Sequence, residues 1–324
     1  MNQRRILVSS LVALAGALAL GSAHAQAWPS KPIRIVVPFA AGGPADALAR
    51  FLTNKMAGDF SQPILIDNKG GAGGTLGSGE VVRSNDGHTF LFSSTGALVI
   101  TPNLMSNLSY NPERDLVAVG QAVNTPSAIV VSAKSPFKTL GDLVTFAKAH
   151  PGKLDFGSAG TGTTTQLGAE LLKKEAKISM THIPYRGAAP AITDLIGGQV
   201  QLMVADVPAV VSYVKGGQFK ALAVASSIRS DALPDVPTTA ELKYPGVVSG
   251  TWYGIMAPAK TPSDVIAKLN ASLNKVLQQP ETLAHFKAQG MQPAGGLPEA
   301  FDKFIKAESA KWVTLSKEAG VKLE

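Results

Sequence analysis

Apolar residues recur along this chain in two alternating rhythms. Short, nearly continuous runs such as IRIVV (33–37) and TFLFSS (89–94) read as buried strands, while Leu48, Phe51, Leu52 and Met56 return at helical spacing. The alternation predicts sheets with crossover helices. IRIVVPF leads to a helix over 45–57, the strand PILIDN, a helix near 75–84, TFLFSS and a short helix toward Met105. After the break Asn124-Thr125-Pro126, a second series opens with SAIVVSA. It continues through a helix over 139–149, LDFGSAG, a helix over 163–176, ISMTHIPY, a helix over 187–197, VQLMVAD, a helix over 207–215 and KALAVAS. GTWYGIMAP returns as a strand, followed by helices near 262–278, 280–289 and 298–319.

The last helices need a sheet to cover, and the first series supplies one. Two chain crossings are therefore expected, near 126 and 246. Lobe one is predicted to comprise 26–126 and 247–324, and lobe two 127–246. The ends of the chain refine this picture. Arg4 and Arg5, an apolar run over 6–20 and Ala23-His24-Ala25 predict a cleaved export signal over 1–25. The apolar run falls short of the roughly 20 residues of a membrane-spanning helix.

The 324-residue chain contains no cysteine, which excludes disulfides, thiol catalysis, Cys-based metal sites and lipid attachment at an N-terminal cysteine. Its formal charge is +7, of which Arg4 and Arg5 leave +5 after cleavage. These charges are scattered and form no basic stripe, so nucleic acid is not an expected partner.

Three glycine-rich turns stand between a strand and a helix: AAGGPAD (40–46), NKGGAGGTLGSG (68–79) and GSAGTGTTTQLG (157–168). In α/β sheets ligands sit beyond the carboxyl ends of the strands, where such turns lie. Each turn reads equally as a tight connection or as a backbone cradle at a helix start, where N–H groups attract anions. The spacing Gly71, Gly73, Gly77 is a poor dinucleotide fingerprint, and there is no phosphate-binding P-loop, HExxH or GxSxG pattern. His88, His150, His182 and His285 are widely spaced and read as surface or packing residues. Phe39 and Tyr185 either pack or cover a ligand's carbon chain, and Trp252 and Tyr253 read as packing. Asp206, ending VQLMVAD, either faces a ligand or caps the next helix. Asp46 and Asp206 are the candidate acid–base pair of an alternative enzyme reading, a small-acid hydrolase or isomerase.

WPSKPIRIVVPFAAGGPADALAR, DNKGGAGGTLGS, GSAGTGTTTQLGAELL and HIPYRGAAPAITDLIGGQVQLMVAD occur in that order. Together they resemble the Bug-type solute-binding receptors of tripartite tricarboxylate transporters, over essentially the whole mature chain. The resemblance implies an α/β, type II-like periplasmic binding protein. Its two lobes would each be a mostly parallel sheet flanked by helices, closing on a small carboxylated molecule. It implies a monomer without metal or cofactor, and delivery to a membrane complex of one large and one small integral subunit. A sensory partner of a membrane kinase would share the same fold. Carried over by motif, the ligand residues are Phe39, Gly42, Gly43, Ser158, Thr161, Gly162, Thr163, Thr164 and Asp206; strand geometry adds Ser94 and Thr95. Gln166 stands where these receptors commonly have histidine, and ADVP replaces a more usual Asp-Asn pair before the proline. The two glycines of the first turn are expected to offer N–H groups to the ligand carboxylate.

Overall fold

The computed structural model describes residues 28–318, 320 and 321. The expected leader over 1–25 lies outside them. In the first sheet, β1 (Ile33–Val37) lies between β2 (Ile64–Asn68) and β3 (Thr89–Ser94), parallel to both. β9 (Gly250–Pro258) adds antiparallel to β3, and the first part of β4 (Leu116–Ser132) adds antiparallel to β9. In the second sheet, β5 (Asp155–Ser158) runs parallel to β6 (Thr181–Pro184) and β7 (Leu202–Asp206). β7 and β8 (Phe219–Val224) both pair antiparallel with the rest of β4. Both sheets are thus mixed, where mostly parallel sheets were expected. The two linking strands supply the antiparallel pairs: β9 runs against β3, and β4 runs against β7 and β8.

Each sheet is covered on both faces, as the two-residue period of its strands requires. In β1 and β3, Ile33, Ile35, Phe90 and Phe92 face one way. There they meet α1 (Pro44–Met56), α9 (Ser263–Leu277) and Phe286 of α10 (Pro280–Gln289). Val36 and Leu91 face the other way, onto Phe301, Ile305 and Trp312 of α11 (Pro298–Glu318). The second sheet repeats the plan. Ile129, Phe156 and Val204 pack under α5 (Leu140–Ala149) and α6 (Thr164–Ala176). Val130 and Met203 pack under α7 (Ala188–Gly197) and α8 (Val207–Lys215). Among the described residues, the remaining α-helices are α2 (Thr75–Arg83), α3 (Thr101–Leu104) and α4 (Pro112–Asp115).

The break read at 124–126 is absent: β4 is one strand of 17 residues. It pairs with β9 as far as Pro126 and with β7 and β8 from Ser127 onward. Pro126 has no N–H to give a ladder, and it stands where the strand changes partners. β9 enters the first sheet at the same level, where a Cβ on Gly250 would lie 2.5 Å from Thr125 O. The sheets also share a seam, because Leu167 of α6 joins the cluster of Trp252 and Phe301. At its far end α11 reaches α6 through Glu318 and Lys174, 2.8 Å apart.

Candidate functional site

The first and third glycine turns are built alike. Gly42 has φ +78° and Gly162 φ +75°, a backbone region open to glycine. The Gly42 N–H donates to Asp46 Oδ2 at 2.8 Å, and the Gly162 N–H donates to Gln166 Oε1 at 2.8 Å. In both turns the side chain four residues on, within the first helical turn, folds back onto the glycine amide. The expectation that the two glycines of the first turn, Gly42 and Gly43, offer their N–H groups to a ligand is corrected for Gly42, whose amide is taken by Asp46. The Gly43 N–H turns toward Ala40 O at 3.4 Å. Among the described residues, the amides of Thr161 and Thr163 take no acceptor, and the first-turn amides of α1 and α6 lack a helical partner by construction.

Asp46 is buried, with Arg50 Nε 2.9 Å from its Oδ1. Burial pulls its pKa upward, but Arg50, the Gly42 amide and Asn68 outweigh that and hold it below the usual range. Phe39 is half-buried and packs beside Gly74 of the second turn, where a Cβ would lie 3.6 Å from Phe39 Cζ. Ser94 and Thr95 are both buried at the end of β3. Thr95 Oγ1 accepts the Trp252 N–H at 2.9 Å, so it holds β9 in place.

In the third turn, Ser158 Oγ lies 2.6 Å from His182 Nε2, and Ser158 Oγ also accepts the Gly160 N–H at 3.1 Å. The His182 ring stacks on Phe156, and burial, helped by Lys173, pushes its pKa down to about 4. At neutral pH the imidazole is uncharged and shapes the turn through Ser158. Thr163 Oγ1 donates to Gly160 O at 2.6 Å and stands at the start of α6. Thr161 is half-buried and Thr164 buried, with Thr164 Oγ1 2.7 Å from Thr251 Oγ1. Gly162 O lies 3.5 Å from Thr101 Oγ1, so the third turn touches the segment that follows β3.

Asp206 makes no side-chain cap to α8. Its Oδ1 accepts Ser127 Oγ at 3.2 Å and Thr251 Oγ1 at 3.0 Å, and burial raises its pKa to about 6 against those bonds. Asp46 and Asp206 each have their own partners and are not joined by a hydrogen bond. Sequence reasoning missed the roles of Ser127 and Thr251, which stand outside the quoted motifs, and of His182, which opens the HIPYRGAAP motif but reads there as a surface or packing residue. All three meet their partners through long-range contacts. Among the described residues, no group of three or more His, Asp or Glu gathers as a metal site, and no helix is long and apolar enough to cross a membrane.

Comparison with known proteins gives this geometry a family. Residues 48–321 match the tripartite tricarboxylate transporter family receptor. BugT of Bordetella pertussis is 35% identical over 326 residues, spanning 100% of both chains. An R. palustris protein solved with adipate superimposes with a TM-score of 0.87 at 30% identity, covering 91% of this chain and 99% of that one. MatC of Rhodopseudomonas palustris with bound malate gives a TM-score of 0.83 at 32% identity, covering 89% and 99%. The chain belongs to the Bug-type receptors of the tripartite tricarboxylate transporter family, and it is a solute-binding receptor with a two-lobed fold, not an enzyme.

Proposed function

We propose that this receptor works in the periplasm, captures a small carboxylate between its lobes and delivers it to a tripartite membrane transporter. The moving bodies are the two expected lobes, divided at the chain crossings near residues 126 and 246. The observation that carries the reading is the pairing of two helix starts. α1 and α6 open from similarly built turns at the carboxyl ends of β1 and β5, one in each sheet. Helix starts are the natural seat of a carboxylate. The relatives solved with adipate and malate superimpose over nine-tenths of the chain, which supports a dicarboxylate-sized ligand.

The amides of Thr161 and Thr163, the hydroxyl of Thr161 and the first-turn amides of α1 are the donors assigned to the ligand. Gly42, Gly43, Gly162 and Ser158 shape the two turns. Phe39 covers the carbon chain, and Thr164, Ser94 and Thr95 stand behind the cleft wall. The test is native mass spectrometry of the mature protein as purified, followed by calorimetry with a panel of four- to six-carbon dicarboxylates. A carboxylate released unchanged, or a panel member bound with one-to-one stoichiometry, is the expected result. Absence of any carboxylate binding overturns the reading. Unchanged binding after deletion of the membrane subunits, together with lost uptake, supports the delivery step.

A further inference from the structure

The binding reading leaves one buried charge unexplained. Asp206 ends β7 at the same carboxyl edge as the third turn, and its Oδ1 gathers Ser127 Oγ and Thr251 Oγ1. Ser127 stands where β4 has just changed sheets, and Thr251 stands one residue inside the start of β9. Thr251 Oγ1 spends its single proton on Asp206, so Thr164, 2.7 Å away, donates to Thr251. A directed chain of hydroxyls therefore runs from the first residue of α6, through one crossing strand, to the carboxylate. The other crossing strand joins it through Ser127.

The surroundings supply no compensating cation. Among the described residues, none of the ion pairs involves Asp206, and the groups acting on it are Thr251 and Ser127. β9 adds the buried phenol of Tyr253, whose pKa is raised by burial and then by the charge of Asp206. β4 contributes Ser127 and α6 contributes Thr164, both uncharged. α8 begins Val207-Pro208 and has no acidic residue in its first turn. Of the groups in the two ligand turns, His182 is neutral above about pH 4 and Asp46 is paired with Arg50.

We propose that Asp206 is a positioning residue that couples lobe closure to proton uptake: closing the cleft on an anion shelters this carboxylate between the crossing strands, where it binds a proton. The inference rests on the cleft being a carboxylate site. A ligand carboxylate entering an uncharged turn is repelled by an ionised Asp206, and loss of water from the closing cleft disfavours the charge further. Opening restores the water and releases the proton. Burial in the present arrangement already raises Asp206 to about 6 from 3.8. The state with the higher pKa takes the proton, so acidification favours the closed, liganded state.

The test uses the full mature chain with malate and adipate as probes. Calorimetry at pH 6 in two buffers of different ionisation enthalpy counts the protons taken up. Wild type should take up about half a proton more than Asp206→Asn, and the ratio of their affinities should rise about tenfold from pH 7.5 to pH 5. Thr251→Val keeps the carboxylate but removes its donor, so its affinity transition should move to higher pH. Equal proton counts in wild type and Asp206→Asn, with binding intact, overturn the coupling and leave the receptor standing. Failure to bind either probe or any other carboxylate overturns the receptor reading instead. A ligand-free measurement stands beside both. The melting temperature of Asp206→Asn relative to wild type should rise between pH 5 and 7.5, because only wild type then buries a charge. A pH-independent difference overturns the proposal.

Discussion

Gln166 Oε1 accepts the Gly162 N–H at 2.8 Å, closing the third glycine turn onto the first turn of α6. Gln166→Ala leaves that buried amide without its partner, which should cost about 1–3 kcal/mol in chemical denaturation. Hydrogen exchange at Gly162 should accelerate at the same time. An unchanged exchange rate would show that the side chain does not hold the turn.

Asp46 does the same for the first turn, but with a charge. Its lowered pKa means that its stabilising effect is present above the ordinary carboxylate range and is lost as pH falls through the folded value. The stability gap between wild type and Asp46→Asn should therefore be flat above pH 5 and shrink below pH 4. Arg50→Ala should cost less than about 1 kcal/mol, because that arginine is half exposed to water.

His182 titrates in the opposite sense to Asp206. With its folded pKa pushed down to about 4 from 6.5, the native state resists a proton that the unfolded chain accepts. Stability is complete above pH 6.5 and falls as pH drops toward 4, by an amount of order 2–3 kcal/mol. Thermal melts of His182→Gln across this range should lack that slope. A wild-type slope that survives the substitution would place its origin elsewhere.

Gly250→Ala should damage the crossing itself. The added Cβ meets Thr125 O at 2.5 Å, a backbone atom in the paired strand β4 that cannot swing away. A loss above about 2 kcal/mol is expected, with local separation of the two crossing strands. Denaturant midpoints for this variant and for Gly58→Ala, where no atom lies within 4 Å of the new Cβ, give the comparison.

The carboxylate of the ligand should be held without an ion pair. Lys69 lies 3.7 Å from Asp67, Arg50 is engaged by Asp46, and Arg186 is exposed. Alanine at each of these positions should leave affinity for the dicarboxylate identified from the panel within about tenfold, or 1.4 kcal/mol. Esterifying that ligand should abolish binding. A normally folded variant among the three that loses binding would make an ion pair the better account.

Local pattern was enough for most elements and for the family. The helix expected over 207–215 forms as Val207–Lys215, and the one expected over 280–289 forms as Pro280–Gln289. In both, a proline near the start and a glycine after the end are local signals. ISMTHIPY was less legible: only Thr181–Pro184 pairs, along the stretch where β5 offers a partner. The glycine turns and their order carried the likeness to the receptors, since backbone conformation is written in the residue that permits it.

What the sequence alone determined, then, was the alternation of strands and helices, the places where glycine lets the chain turn and the family those turns belong to. Tertiary structure decided which donors remain free and where charge is buried. Asp206 finds Ser127 and Thr251 from 79 and 45 residues away. Asp46 and Gln166, by contrast, take amides only four residues off. β4 runs unbroken through Pro126 because β9 and β7 meet it on either side of that residue. Hydrogen-bond partners and burial depend on how distant segments are brought together, and a linear pattern of apolar and polar residues records only the face each residue shows, not the neighbour it meets.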